Sequence, residues 1–282
     1  MWQSILRSYL WETVKQAATE AARPQADAEV ESDAKYGDDR AIGVVFALSQ
    51  ESSCFVDRLS DVSTIHAQGF VVHHGWLNNQ RVVVVNSGPG SAAAARVTDA
   101  LIVAHRPKLV ISTGFAGGLA KGLEKGHIVI ADSVQREQGP RLLIDLTIDR
   151  SPQPAMHIGP TVTVDRIVAT ARGKQQLYEQ TGAIAVDMES AAVADTCRTY
   201  ATPFMAIRIV SDSVQDELPR EVSRLINKPT RVRQIGFALG AMLQRPSLAK
   251  DLLALKQSAL DLSERLAKFL DDMLGQIPAP SD

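Results

Sequence analysis

The sequence predicts an α/β fold, with a largely buried sheet covered by helices on both faces. Short, continuous apolar runs rich in Val and Ile recur between residues 41 and 212. Such runs mark strands that are buried on both sides. Segments of helical period alternate with them. Glycine-bearing turns follow several of the runs, at the strand ends where α/β sheets bind ligands.

The apolar runs are AIGVVFAL (41–48), RVVVVN (81–86), LVISTG (109–114), HIVIAD (127–132), AIAV (183–186) and FMAIRIVSD (204–212). Helices are predicted over Ser91–His105, Asp165–Thr181 and Ser190–Tyr200. This domain spans residues 41–245. Ahead of it, residues 1–22 place Trp2, Ile5, Leu6, Tyr9, Leu10 and Val14 at helical spacing, an amphipathic helix. Residues 23–40 are polar and acidic with Pro and Gly, a linker composition. Residues 246–282 form a C-terminal amphipathic helix between Pro246 and Pro278. Its stripe of Leu252, Leu255, Ala259, Leu262, Leu266, Phe269 and Met273 is broadened by Leu253, Leu260, Leu270 and Leu274. The core, a second subunit and a lipid surface are all open to that stripe.

Composition narrows the function. A formal net charge of −2 and the lack of a basic stripe argue against nucleic acid as a partner. Cys54 and Cys197 stand outside any metal or redox spacing and read as reduced thiols of a cytoplasmic protein. No apolar run reaches the about 18 residues of a spanning helix. The six histidines form no i, i+4 pair, so neither a metal nor a cofactor is expected. G-x-S-x-G and Walker patterns are absent.

Five stretches remain that could carry chemistry. NSGPGSAAAA (86–95) joins a strand to a helix through Gly88 and Gly90; a tight turn is the simpler reading and a dinucleotide loop the sharper one. STGFAGGL (112–119) is a strand-to-loop junction whose glycines admit close backbone approach. ALSQES (47–52) delivers Glu51 at a strand end, where a first-turn glutamate is also favoured by the helix dipole. RIVSDS (208–213) delivers Arg208, Ser211 and Asp212, the last either a tuned acid or a helix cap. AVDMESAAVA (185–194) sets Asp187 and Glu189 within an apolar run, where unpartnered carboxylates are costly.

Taken in order, these motifs resemble the purine nucleoside phosphorylase and methylthioadenosine/S-adenosylhomocysteine nucleosidase superfamily, over about Ala41 to Pro219. The resemblance implies a three-layer α/β/α fold with a mixed, partly closed central sheet, plus the N- and C-terminal helices. It makes Glu51 the base that activates water and Asp212 the acid serving the purine N7. Met188 packs on the ribose and Glu189 accepts hydrogen bonds from its 2′- and 3′-hydroxyls. Phe115, Ala116 and Gly117 fall in the base-and-ribose loop. Arg208 and Ser211 orient Glu189 and Asp212, while Asp187 and Gly88 support the site.

Ser112 and Phe115 stand where the phosphorylases of this superfamily place a serine and an arginine, so no cationic fork is left there for phosphate. Hydrolysis is therefore favoured, with phosphorolysis the alternative if Arg96 reaches in, and non-catalytic nucleoside binding a further one. Ile167 replaces a base-stacking phenylalanine, and the stretch from Asp132 to Gly159 is short for a methylthioadenosine nucleosidase. KQQLYEQTGAIAVDMES and the Leu-rich tail are similar to the hopanoid-associated nucleosidase branch, which removes adenine from an adenosylated triterpenoid. The expected substrate is a 5′-substituted adenosine, methylthioadenosine-like or adenosylhopane-like. A homo-oligomer, a dimer, is expected, with peripheral membrane contact through the terminal helices as a second expectation.

Overall fold

Alternate residues of strand β1 (Ile42–Phe46) feed two separate cores. Ile42, Val44 and Phe46 join one apolar cluster; Val45, with Ala41 just ahead of the strand, joins another. The first cluster takes Phe55 from helix α1 (Ser49–Val56) and Leu262, Leu266 and Leu270 from helix α5 (Ser247–Leu274). The second takes Val97 and Leu101 from α2 (Ser91–His105) and Ala192, Val193 and Cys197 from α4 (Ser190–Thr199). The period-2 alternation of a strand buried on both faces thus produces the three layers. The computed structural model describes residues 40–67, 70–144, 154–217 and 247–277. The predicted helix 1–22 and nearly all of the linker 23–40 lie outside the described residues.

The remaining strands are β2 (Ser60–Ala67), β3 (Phe70–Leu77), β4 (Gln80–Asn86), β5 (Leu109–Gly118), β6 (Ile128–Arg136), β7 (Arg141–Leu143), β8 (Met156–Thr163), β9 (Ala185–Asp187) and β10 (Phe204–Asp212). Their order is β10-β6-β8-β9-β5-β1-β4-β3-β2, with β7 on β6. β10 also pairs in parallel with β5, so β10, β6, β8, β9 and β5 close into a ring. Within the ring, β10–β6 and β9–β5 pair antiparallel, and β6–β8, β8–β9 and β10–β5 pair in parallel. The sheet is mixed and partly closed, as the resemblance implied.

Several boundaries differ from those predicted. β5 does not end at Gly114 but runs to Gly118, because β9 and β10 both pair with its last residues. The helix predicted from Asp165 begins instead at Ala171, as α3 (Ala171–Thr181), where Thr170 accepts a hydrogen bond from Gly173 N at 3.1 Å. Such a side-chain cap satisfies an orphan amide and fixes the helix start. β2 and β3, which form a meander with the predicted strand β4, were not read from the sequence. The meander's tight turn has Asn78 and Asn79 at φ 50° and 63°, the left-handed pair of a two-residue hairpin.

The described part of the C-terminal stripe docks on the core. Leu262, Leu266, Leu270, Met273, Leu274 and Ile277 are buried. Arg58 at the end of α1 pairs with Asp271 at 3.1 Å and with Glu264. Buried Ser263 Oγ donates to the Gln50 carbonyl at 2.7 Å. No helix among the described residues is long and apolar enough to cross a membrane. Leu266→Ala removes a side chain with no exposed surface; urea unfolding should show a loss of about 2–5 kcal/mol. Leu260→Ala, 39% exposed on the same helix, should change stability by no more than about 0.5 kcal/mol.

Candidate active site

The C-terminal end of β5 separates two carboxylates. On one side stands Glu51 of α1. Its Oε2 accepts from Leu48 N at 2.9 Å, and its Oε1 from Phe115 N at 3.0 Å. Gly114, at φ 142°, leaves the necessary room, since a Cβ there would lie 2.9 Å from Oε1. On the other side stands Asp212, at the end of β10. The β10–β5 register shifts between Val210 and Asp212, an irregularity of the kind that re-aims a side chain. A Cβ on Gly117 would lie 3.5 Å from Asp212 Oδ2. Ser211 Oγ reaches both Asp212 Oδ1 and the Ala116 carbonyl, the latter at 3.2 Å.

Asp212 has a second partner that the sequence did not reveal. Lys174 of α3 has no exposed surface and forms an ion pair with Asp212 Oδ2. The same ammonium donates to the carbonyls of Ser213 at 2.6 Å and Asp216 at 2.9 Å. Lys174 reads as a solvated helix residue, yet it stands one turn before buried Leu177. That i, i+3 relation was the available signal.

Glu189 and Asp187 divide the work at the start of α4. Asp187 Oδ1 accepts from the backbone N–H groups of Glu189 and Ser190, both at 3.0 Å, and from Thr163 Oγ1 at 2.7 Å. Its Oδ2 accepts from Arg208 Nε at 3.0 Å. With the helix capped by Asp187, the Glu189 side chain turns away. Its Oε1 accepts from Gly90 N, at the start of α2, at 2.7 Å. Gly88 and Gly90 hold φ of 80° and 96° in that turn, which only glycine adopts readily. Ser91 Oγ is 2.8 Å from Asp165 Oδ1 and 3.2 Å from the Met188 carbonyl, fastening the neighbouring segment to this corner. Ile167 is partly buried two residues beyond Asp165, and Arg96 is on the exposed face of α2.

Arg208 does not bond Glu189, as the resemblance had suggested. Its guanidinium is spent on Asp187, on Ser190 Oγ at 2.7 Å and on Ser112 Oγ at 2.7 Å. The physical reason is reach: Asp187 ends the ring strand β9 and faces Arg208 within the core. The influence of Arg208 on Glu189 is electrostatic.

These surroundings set the acids apart. Burial pushes Glu51 above the ordinary carboxylate range, against the Phe115 and Leu48 N–H groups and the Arg208 charge, which pull it down. Burial also raises Glu189, to about 7; the Asp187 and Glu51 charges add to the rise, while Arg208 and the Gly90 N–H oppose it. Burial acts on Asp187 in the same sense, but Arg208 and the hydrogen bonds from Ser190 and Thr163 outweigh it, so Asp187 lies below its usual value.

Asp187→Asn would leave Arg208, 1% exposed, without its anion. Breaking such a buried pair typically costs about 3–5 kcal/mol, to be read by urea unfolding at neutral pH. A depressed carboxylate stabilises the fold above its unfolded pKa, and that contribution is lost as pH falls through the folded value. The gap between parent and variant should therefore narrow in acid.

Comparison with known proteins places this geometry. The sequence pattern of the phosphorylase superfamily (PNP_UDP_1) matches residues 41–145 and 143–234. The 5′-methylthioadenosine/S-adenosylhomocysteine nucleosidase of Baumannia cicadellinicola is 31% identical over 216 residues, covering 65% of this chain and 94% of its own. The enzyme of that name from an Exiguobacterium strain is 28% identical over 201 residues, covering 62% and 86%. Among solved structures, the Neisseria meningitidis nucleosidase in complex with methylthio-immucillin-A has a TM-score of 0.64 at 25% identity, covering 84% of this chain and 100% of its own. The Streptococcus pneumoniae nucleosidase with a transition-state inhibitor shares the fold, with a TM-score of 0.65 at 22% identity, covering 83% and 98%. The chain belongs to the phosphorylase superfamily.

Proposed function

We propose that the protein hydrolyses the N-glycosidic bond of a 5′-substituted adenosine and releases adenine. The observation that carries this reading is the placement of Glu51 and Asp212 on either side of the glycine-bearing end of β5, with Glu189 at the α2–α4 corner. Cleavage of C1′–N9 builds positive charge on the ribose and negative charge on the purine. Glu51 takes a proton from the attacking water, and its raised affinity for protons suits a base. Glu189 accepts from the ribose hydroxyls and its charge faces the developing cation. Met188 packs on the sugar, and the β5 backbone from Phe115 to Gly117 borders base and ribose. Asp212 serves N7, so that the purine leaves neutral.

Water is favoured over phosphate by the occupancy of the donors. The Phe115 N–H already serves the Glu51 carboxylate, whose charge repels a second anion. The Ser112 hydroxyl and the Arg208 guanidinium are bound to each other within the core. No free fork remains among these groups to grip an anion. The partly buried Ile167 and Met188 offer apolar contact to base and ribose. The 5′-group of the proposed substrate is an alkylthio group or a larger apolar substituent such as a triterpenoid.

The purified protein should release adenine and a free 5′-substituted ribose in phosphate-free buffer from at least one of 5′-methylthioadenosine, S-adenosylhomocysteine and a triterpenoid-substituted adenosine. Strict dependence on added phosphate, with ribose-1-phosphate formed, would sink the hydrolytic assignment. Glu51→Gln should lower kcat by about 10²–10⁴-fold while leaving adenine binding little changed.

The pH dependence follows from Glu189. Its working form is the carboxylate, which gains population as pH rises through about 7. Glu51, also raised, shifts in the same sense. For a 5′-substituted adenosine, kcat/KM should climb with pH through neutrality and fall away on the acid side. Adenine has no ribose to meet Glu189, so its affinity should not follow this limb. A flat kcat/KM profile across that range would remove Glu189 from the assigned role.

A further inference from the structure

Lys174 is a buried charge that the chemistry above leaves unused. Its ammonium has three N–H bonds, and the structure offers it three acceptors: Asp212 Oδ2, the Ser213 carbonyl and the Asp216 carbonyl. Paired with an ammonium, Asp212 is the anion of a salt bridge. An anion has no proton to give, and it repels the lone pair of a purine N7. The leaving-group acid has the Lys174 ammonium on Oδ2 and the Ser211 hydroxyl on Oδ1.

We propose that Lys174 is the proton source of the leaving-group acid and acts through Asp212. This rests on the N-glycosidase reading. As C1′–N9 breaks, its electron pair passes to the purine and N7 becomes basic. Lys174 Nζ first gives a proton to the Asp212 carboxylate, its N–H bond breaking as the O–H bond forms, and N7 then takes that proton from Asp212. The attacking water bonds to C1′ and gives its proton to Glu51. Neutral adenine and the ribose product leave, with one proton gained at Glu51 and one lost at Lys174; exchange with solvent restores both. Lysine suits this role because it can give up its proton within a protein, whereas arginine cannot.

The test compares two leaving groups on one sugar. 5′-Methylthioadenosine needs protonation at N7; the 5-methylthio ribofuranoside of p-nitrophenol carries a phenolate that departs without it. Lys174→Met should lower kcat/KM on the adenosine by about 10²-fold or more and leave the phenolate substrate near the parental rate. Retained phenolate turnover also shows that the variant folds. Lys174→Arg keeps the ion pair but cannot release a proton, so it should fail on the adenosine as Lys174→Met does. In an Asp212→Asn background, Lys174→Met should add no further loss, because both act on one proton path. Full activity of Lys174→Arg on the adenosine would reduce Lys174 to a positioning charge and overturn the proposal. So would equal losses on both substrates, or no loss on either. A parent protein that cleaves neither compound, nor S-adenosylhomocysteine, nor a triterpenoid-substituted adenosine overturns the N-glycosidase assignment itself.

Discussion

The ion pair between Arg208 and Asp187 is the contact on which the rest of the site depends. It joins the middle of β10 to the end of β9 inside the ring of strands. Through Ser112 and Ser190 the same guanidinium also binds β5 and the first turn of α4. Taking two charges out of water costs several kcal/mol per ion unless all their hydrogen-bonding capacity is used. Here Asp187 meets Arg208, a threonine hydroxyl and two helix N–H groups, so the cost is offset and the geometry is over-determined. A lysine in place of Arg208 could not supply this planar fork.

That arrangement frees Glu189. A helix start leaves N–H groups that need an acceptor, and the residue at the N-cap usually provides one. Asp187, two residues earlier, does so instead. Glu189 can then leave its own helix and lean on the Gly90 N–H of α2, one oxygen held and the other available to a ligand. The two acids of AVDMES are therefore a fixed structural anion and a side chain free for the ribose contact proposed above, separated by which of them holds the arginine.

β1, β4, β5, β6, β9, β10 and the ends of α2 and α4 were legible in the sequence because continuous Val/Ile runs and glycine turns carry the pattern locally, whereas β2, β3, β7 and β8 were not read. The acids were legible through their motifs, each at a strand end. The β2–β3–β4 meander was harder to read: β3 is interrupted by His73, His74 and Gly75, and its turn signal is the uncommon pair Asn78–Asn79. The start of α3 was misjudged because residues 165–170 continue the apolar spacing, while Thr170 ends the loop by capping. The burial of Lys174 had only its i, i+3 relation to Leu177 as a signal, and its pairing with Asp212, like that of Arg208 with Asp187, could not be read. Both pairings join residues of different elements distant in sequence, a relation that no local period encodes.

Glu51 and Glu189 are both buried, and the Glu51 charge raises the energy of the charged form of Glu189. A carboxylate with a raised folded pKa weakens the fold as pH climbs from the unfolded value of 4.5 toward about 7, the sign opposite to that of Asp187. A site held for stability alone would replace such groups with apolar ones. In the proposed reaction the sugar acquires positive charge only as the glycosidic bond breaks, and a positive charge near these carboxylates relieves their strain. On that reading the strain is discharged in the transition state and not in ground-state binding.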